Sequence, residues 1–352
     1  MNTTKRIEYI DALRGFTMIL VVTGHIFSDC FMHEELREHV LSYYTFFGIF
    51  RMPLFYFISG FVFFKIDRYW DYATFKSFMS SKTRVQIFST LIFFLLYCWL
   101  YQKDIVNSLF DLHKSGYWFT YALFVYFLLY IGIDKTICWL SRKKTFNSIT
   151  IITSFIVGIL LYFFINNGFL LNILSPQMTS LLSISKWQFF IYFSFGCCIH
   201  KYYDAFLNLQ KNNYVKDTVL LLFVCFSIII FYHNNFMNIF RLIAASFGIL
   251  LVMFIFKENE SYLSSSTKLG TGLQYIGKHT LDIYFLHFFF LPYNLSFVGR
   301  WLEKNPNPLL EFCMSLTLAL IVIGICLLVS KIIRLSPTLA YLLLGGKRIK
   351  QI

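Results

Sequence analysis

Charge is what this chain has least of. Asp, Glu, Lys and Arg together make up 14% of its 352 residues, whereas soluble domains carry about a quarter. That shortfall excludes an ordinary soluble surface. Metal-type cysteine pairs are missing too: the eight cysteines fall mostly inside apolar stretches, with no C-x-x-C spacing among them. They read as small core hydrophobes, so neither a disulfide framework nor a bound metal is expected. No small-residue cleavage site follows the first apolar run, which makes that run a retained span and not a removed signal. There is also no internal repeat, and no soluble domain is expected at either end.

What the chain has in excess is apolar and aromatic surface. Hydrophobic residues reach 57%, and 44 Phe and 23 Tyr are among them. In water these rings are an aggregation burden; in a bilayer they face acyl chains or pack between helices. The fold class expected is all-α, a polytopic membrane protein forming one domain over 1–352, with about ten spans around a central cavity. A span needs roughly 20 mostly apolar residues. On that rule the spans run 9–30, 41–64, 85–102, 117–140, 148–166, 187–200, 218–233, 236–256, 275–298 and 309–333. The sixth is short unless it begins near Leu181, and a tight His233-Asn234-Asn235 turn joins the seventh to the eighth.

Lysines and arginines set the expected orientation, because cytoplasmic segments carry their excess. With the N-terminus inside, twenty-one fall in cytoplasmic segments and six in the opposite loops. This ten-span arrangement has both termini in the cytoplasm, and it accounts for the net charge of +13 without a nucleic-acid partner.

Four basic residues remain in or beside apolar segments: Arg14, Arg51, Lys135 and Arg241. Intramembrane charge is costly and default-functional. Lys135 and Arg241 lie within snorkelling reach of an interface. Arg14 is different. His25 follows it by eleven residues, which on a helix is about 16 Å of rise and three turns plus roughly 20°, so the two share a face. Asp11 stands one turn before Arg14 and can pair with its guanidinium. The alternatives are a functional stripe, or a packing histidine with an interfacial arginine. In the second span, FFGIFRMPLFYFISGF, Arg51 sits halfway along, Pro53 opens the helix, and Ser59-Gly60 offers a smooth face. Arg51 either lines a cavity or is held by a carbonyl freed at the kink. Trp118 and Phe119 fit an interfacial aromatic belt, and His287 is a cavity-lining or a packing histidine.

Taken together, YIDALRGFTMILVVTGHI, FRMPLFYFISGF, WFTYALFVYFLL, FFIYFSFGCCI and IGKHTLDIYFLH resemble the acyltransferase family 3 membrane proteins of bacteria, which acylate surface sugars. The family mark, an arginine and a histidine separated by ten residues, is met by Arg14 and His25. Within the family the opening is similar to that of the fucose 4-O-acetylase-like group. The resemblance implies a bacterial inner-membrane enzyme. Its donor would be cytoplasmic acyl-CoA, with acetyl-CoA the expected one, and its acceptor a saccharide or glycolipid hydroxyl, with membrane lipid and polysaccharide-assembly proteins as partners. It implies His25 as catalytic residue and Arg14 and Arg51 as its motif companions. Trp118 and Phe119 match the family's outer aromatic pair, with Ser59 and, more loosely, His287 as lining residues. Chemistry adds that Arg14, paired with Asp11, suits the donor's phosphates. The competing class is a multispan transporter or flippase of lipid-linked saccharides, in which buried His relays protons. Such a protein should show repeated halves or paired broken helices, and the sequence shows neither.

Overall fold

The computed structural model describes residues 7–31, 43–66, 68–142, 147–232 and 237–346. Among them every regular element is a helix. Eight helices are long and apolar enough to cross a bilayer: Glu8–Phe31, Tyr43–Phe63, Tyr72–Leu100, Trp118–Ser141, Asn147–Asn166, Asn213–Tyr232, Asn238–Glu258 and Pro308–Ile333. The protein is an all-α, multi-pass membrane protein.

Two of the ten expected spans are helical but not continuous to that length. The sixth is a 3-10 segment, Ile184–Phe189, running into Phe190–Lys201. The ninth is divided: Lys268–Lys278 ends at His279, whose backbone leaves helical geometry (φ −108°, ψ 15°), and Thr280–Leu286 starts anew before a single 3-10 turn at His287–Phe289. The third span starts well before residue 85, because Tyr72–Lys82 flows through a π-turn into Ser89–Leu100. Asp71 caps its start by accepting from the Thr74 amide at 2.8 Å, and hydrogen bonds from the Thr74 hydroxyl and amide hold its carboxyl below its ordinary pKa. The second span breaks at Ile49–Phe50, before Pro53, so the proline sits in the first turn of Arg51–Phe63, where its missing N–H costs nothing. The turn at 233–235 lies outside the described residues.

The chain forms two compact units, and the first holds residues 1–55 and 209–331. Its axis is the helix Glu8–His25, prolonged by a π-turn, Ile26–Phe31. Close approach to Lys268–Lys278 depends on two glycines. A Cβ on Gly15 would stand 2.0 Å from the Leu273 carbonyl oxygen, and one on Gly277 would stand 1.9 Å from that of Asp11. The π-turn is packed in the same way, with Gly299 against the Phe31 carbonyl. Thr17 and Thr23 sit in this apolar setting because each donates to the carbonyl four residues back.

The second unit holds residues 56–208 and 332–352. Glycines again set its packing, Gly60 against the Phe193 carbonyl and Gly196 against that of Phe57. A stack of Phe63, Phe127 and Phe193 fills its interior. Its connecting loops are tied by Lys114, whose ammonium donates to the carbonyls of Leu109 (2.7 Å) and Ser180 (2.8 Å), burial lowering its pKa.

Candidate functional site

Between residues 9 and 31 the opening helix and its π-turn are buried everywhere except at Arg14, Phe16, His25 and Asp29. A face turned to lipid would also expose what lies between Arg14 and His25 on the same side. Met18 and Val21 occupy that place and are buried. The stripe is therefore open at its two polar ends and closed in the middle.

At one end the Arg14 guanidinium is 3.9 Å from the Asp11 carboxylate and donates to the Thr280 hydroxyl at 3.2 Å. Asp11 is nearly buried, whereas the Arg14 side chain keeps 32% of its surface. A carboxylate beside a guanidinium holds the fork in one orientation. Thr280 is the first residue after the His279 break, so the interruption of the ninth span is what places a hydroxyl against Arg14.

At the other end His25 closes the α-helix. The π-turn that follows places Asp29 under it, with His25 Nδ1 at 2.9 Å from Asp29 Oδ2, while the Ser28 hydroxyl donates to Asp29 Oδ1 at 2.6 Å. An ionised carboxylate only accepts, so Nδ1 carries the proton and Nε2 keeps its lone pair. The ring is about one-third exposed, at 32% of the side chain. His287 lies beside it, fully buried, with ring centres 5.2 Å apart, and Phe288 meets the His25 ring edge-on at 4.9 Å.

Arg51 reaches the same turn from the start of its own helix. Its guanidinium lies on the backbone of the opening helix at Gly24, where a Cβ would stand 1.5 Å from Nη1. It approaches the Leu20 carbonyl at 3.5 Å and covers the Tyr44 ring at 4.9 Å. The Tyr43 hydroxyl donates to the Thr23 carbonyl at 3.2 Å, so both segments of the broken second span clasp the last turn before His25. The break at Ile49–Phe50 lets Arg51 point back at this turn.

A polytopic chain with an arginine and a histidine on one buried helix face, and a second arginine at that histidine's turn, fits more than one class of membrane protein. The deciding observation is that an acyltransferase-domain family model matches residues 7–330. The chain belongs to acyltransferase family 3. The match runs across both units and covers every residue described above for the site. No curated protein and no solved structure matches the chain. As a member of acyltransferase family 3, the protein is a multi-pass membrane acyltransferase.

The first unit brings together Asp11 with Arg14, and His25 with Arg51's guanidinium and His287. Trp118, Phe119 and Ser59 belong to the second unit. There Phe119 packs on Tyr56 at 4.8 Å, Trp118 carries the Lys186 ammonium 4.6 Å over its ring, and Ser59 is half-buried beside Gly60. Sequence reasoning missed Asp29, Gly24 and Thr280. The i, i+4 spacing of His25 and Asp29 was a usable signal. Nothing local in the sequence pointed to Thr280.

Proposed function

We propose that this acyltransferase moves an acetyl group from cytoplasmic acetyl-CoA to a hydroxyl of a surface or lipid-linked saccharide in the inner membrane, with His25 as the reacting residue. The observation that carries the reading is the His25–Asp29 pair. It fixes the imidazole as the Nδ1–H tautomer and leaves a basic Nε2 on a partly exposed ring. Such a nitrogen removes a proton from an attacking hydroxyl, or takes the acyl group itself.

The other residues divide the remaining work. With the N-terminus in the cytoplasm, Arg14 stands at the inner end of the stripe. Its planar fork, held by Asp11 and Thr280, binds the donor's phosphates. The pantetheine arm then follows the helix face toward His25, where Met18 and Val21 must yield; the unbranched methionine side chain adapts readily. Arg51, lying against Gly24, supplies fixed positive charge for the oxyanion that forms on the thioester carbonyl. Trp118, Phe119 and Ser59 are assigned to saccharide contact by the family motif alone.

Two results follow from these roles. Asp29→Asn offers its amide or its carbonyl to Nδ1 and no longer enforces one tautomer, so kcat should fall about 10²-fold or more with the donor KM little changed. Equal kcat in the variant removes Asp29 from the mechanism. Arg14→Ala should raise the acetyl-CoA KM roughly tenfold or more with a smaller effect on kcat, read from donor titrations in membrane vesicles. The reading itself is tested by deleting the protein from its source cells and weighing their surface saccharides and glycolipids. The expected result is loss of acetyl groups from one species, restored by the wild-type chain. Unchanged acylation would reject it.

A further inference from the structure

At the His25 end of the opening helix the chain carries a short helix that no step of the reaction above uses. Ser296–Lys304 is nine residues long and two-sided. Gly299 and Leu302 are buried, and a Cβ on Gly299 would stand 1.7 Å from the Phe31 carbonyl oxygen, so the helix lies directly on the π-turn that seats Asp29 under His25. At 100° per residue, Phe297, Arg300, Trp301 and Lys304 fall within about 100° of arc on the opposite side. All four are exposed, Phe297 at 60% and Trp301 at 50%. The segment leading into this helix also reaches the reacting ring: Phe288 meets His25 edge-on, and the Tyr293 hydroxyl donates to the Phe288 carbonyl at 3.0 Å. Ring and helix are held on one scaffold.

We propose that this face docks the carrier of the acceptor, a lipid whose saccharide is attached through phosphate. The proposal rests on the acyl-transfer reading and narrows its acceptor from saccharides in general to those presented on a lipid phosphate. A face meant only for water has no use for an exposed Phe and Trp one turn apart, and a face meant only for hydrocarbon has none for two cations in the same arc. An amphiphile suits both: the rings take its chain at the interface, while a guanidinium and an ammonium supply positive charge to its phosphate. Arg300 and Lys304 make no ion pair among the described residues. Lys103, Lys114 and Lys186, the other described cations of the loops expected on this side, are engaged within the protein. Lys114 donates to two carbonyls, and the ammonium groups of Lys103 and Lys186 lie over the rings of Tyr97 and Trp118.

No bond is made or broken at this face. It gathers the acceptor beside His25, so its loss is read in the acceptor KM and not in kcat. The side chains that form it point away from the Gly299 and Leu302 contacts, so changing them leaves the packing on the π-turn in place.

The test has a binding arm and a kinetic arm, both on the full chain in phosphatidylcholine nanodiscs. In the first, tritiated farnesyl phosphate is titrated onto the discs and uptake by empty discs is subtracted, with farnesol as the phosphate-free control. Wild type and His25→Ala should bind farnesyl phosphate alike and farnesol far more weakly. Arg300→Gln combined with Lys304→Gln should lose about tenfold or more in affinity, whereas Arg300→Lys combined with Lys304→Arg, which keeps both charges, should stay within about threefold of wild type. An affinity within about twofold of wild type for the glutamine pair overturns the proposal. Displacement of the probe by phosphatidylglycerol at equal mole fraction also overturns it, since that marks a general lipid anchor. In the second arm, the saccharide extract of the source cells is divided into lipid-linked and lipid-free fractions and given labelled acetyl-CoA. The glutamine pair should raise the apparent KM for the lipid-linked fraction about tenfold, with kcat and the acetyl-CoA KM within about twofold. Equal use of the lipid-free fraction by wild type overturns the proposal. Equal labelling by wild type and His25→Ala rejects the acyl-transfer reading instead, and the binding arm, which needs no turnover, tells the two failures apart.

Discussion

His25→Ala is expected to reach the membrane at normal abundance and to lower acyl transfer by about 10⁴-fold or more, the scale on which removal of a reacting side chain acts. Abundance should hold because the ring is not a core element. Its side chain keeps about a third of its surface, and among the described residues its polar tie is to Asp29 within the same turn. The helix Glu8–His25 is held elsewhere, by the glycine contacts at Gly15 and Gly277 and by buried aliphatics such as Leu13 and Val22. Asp29→Asn should be milder, since it disturbs the tautomer and leaves the imidazole in place. The ordering is itself a check: an asparagine variant more damaged than His25→Ala would mean that Asp29 acts by another route. Membrane abundance read by blotting and label transfer read in vesicles separate the two effects.

Gly24→Ala should reduce transfer about 10²- to 10³-fold through a residue that carries no chemistry of its own. An alanine methyl here meets Arg51, with the ideal Cβ 1.5 Å from Nη1 and 2.4 Å from Cζ, so the guanidinium must leave. The backbone does not object: the site is helical, and alanine is favoured over glycine there by roughly 1 kcal/mol. The loss is therefore in the placement of charge, and its size is that of one missing oxyanion donor. Arg51→Lys should lose activity comparably, because a single ammonium cannot keep both the carbonyl approach to Leu20 and the ring contact with Tyr44. The double variant should be little worse than either single one, as expected when two changes remove the same interaction. Activity within about threefold of wild type for Gly24→Ala would dissociate Arg51 from the reaction.

The spans were legible because run length and composition suffice to place a bilayer-crossing helix, and Trp118–Ser141, Asn147–Asn166 and Pro308–Ile333 agree with their sequence limits to within about a residue. The ninth span was not read correctly. Hydropathy averages over Gly277, His279 and Thr280 and carries no record of a break, yet that break gives Arg14 its hydroxyl partner. The shared face of Arg14 and His25 followed from helical geometry alone. Asp29 shares the His25 face by its i, i+4 spacing, but the π-turn that seats it under the ring past the α-helical end is not written in that spacing. Gly24 and the His287 ring contact depend on contacts between segments far apart in sequence, which a single chain read in order does not reveal. Pro53 was read as opening its helix; in the structure the opening lies just before it, and Arg51 owes its direction to that displacement.

The most direct measurement of the central claim, that a tautomer-fixed imidazole at His25 is where an acyl group changes hands, is thiol release by purified protein in nanodiscs. The protein is given acetyl-CoA together with the saccharide and glycolipid extract of its own source cells, and free CoA is followed with time. The account predicts CoA release that depends on the extract, is matched by acetyl appearing on it, and vanishes in His25→Ala. Release that proceeds equally in His25→Ala, or none at all from wild type in an assay where the extract is demonstrably unacetylated, would contradict it.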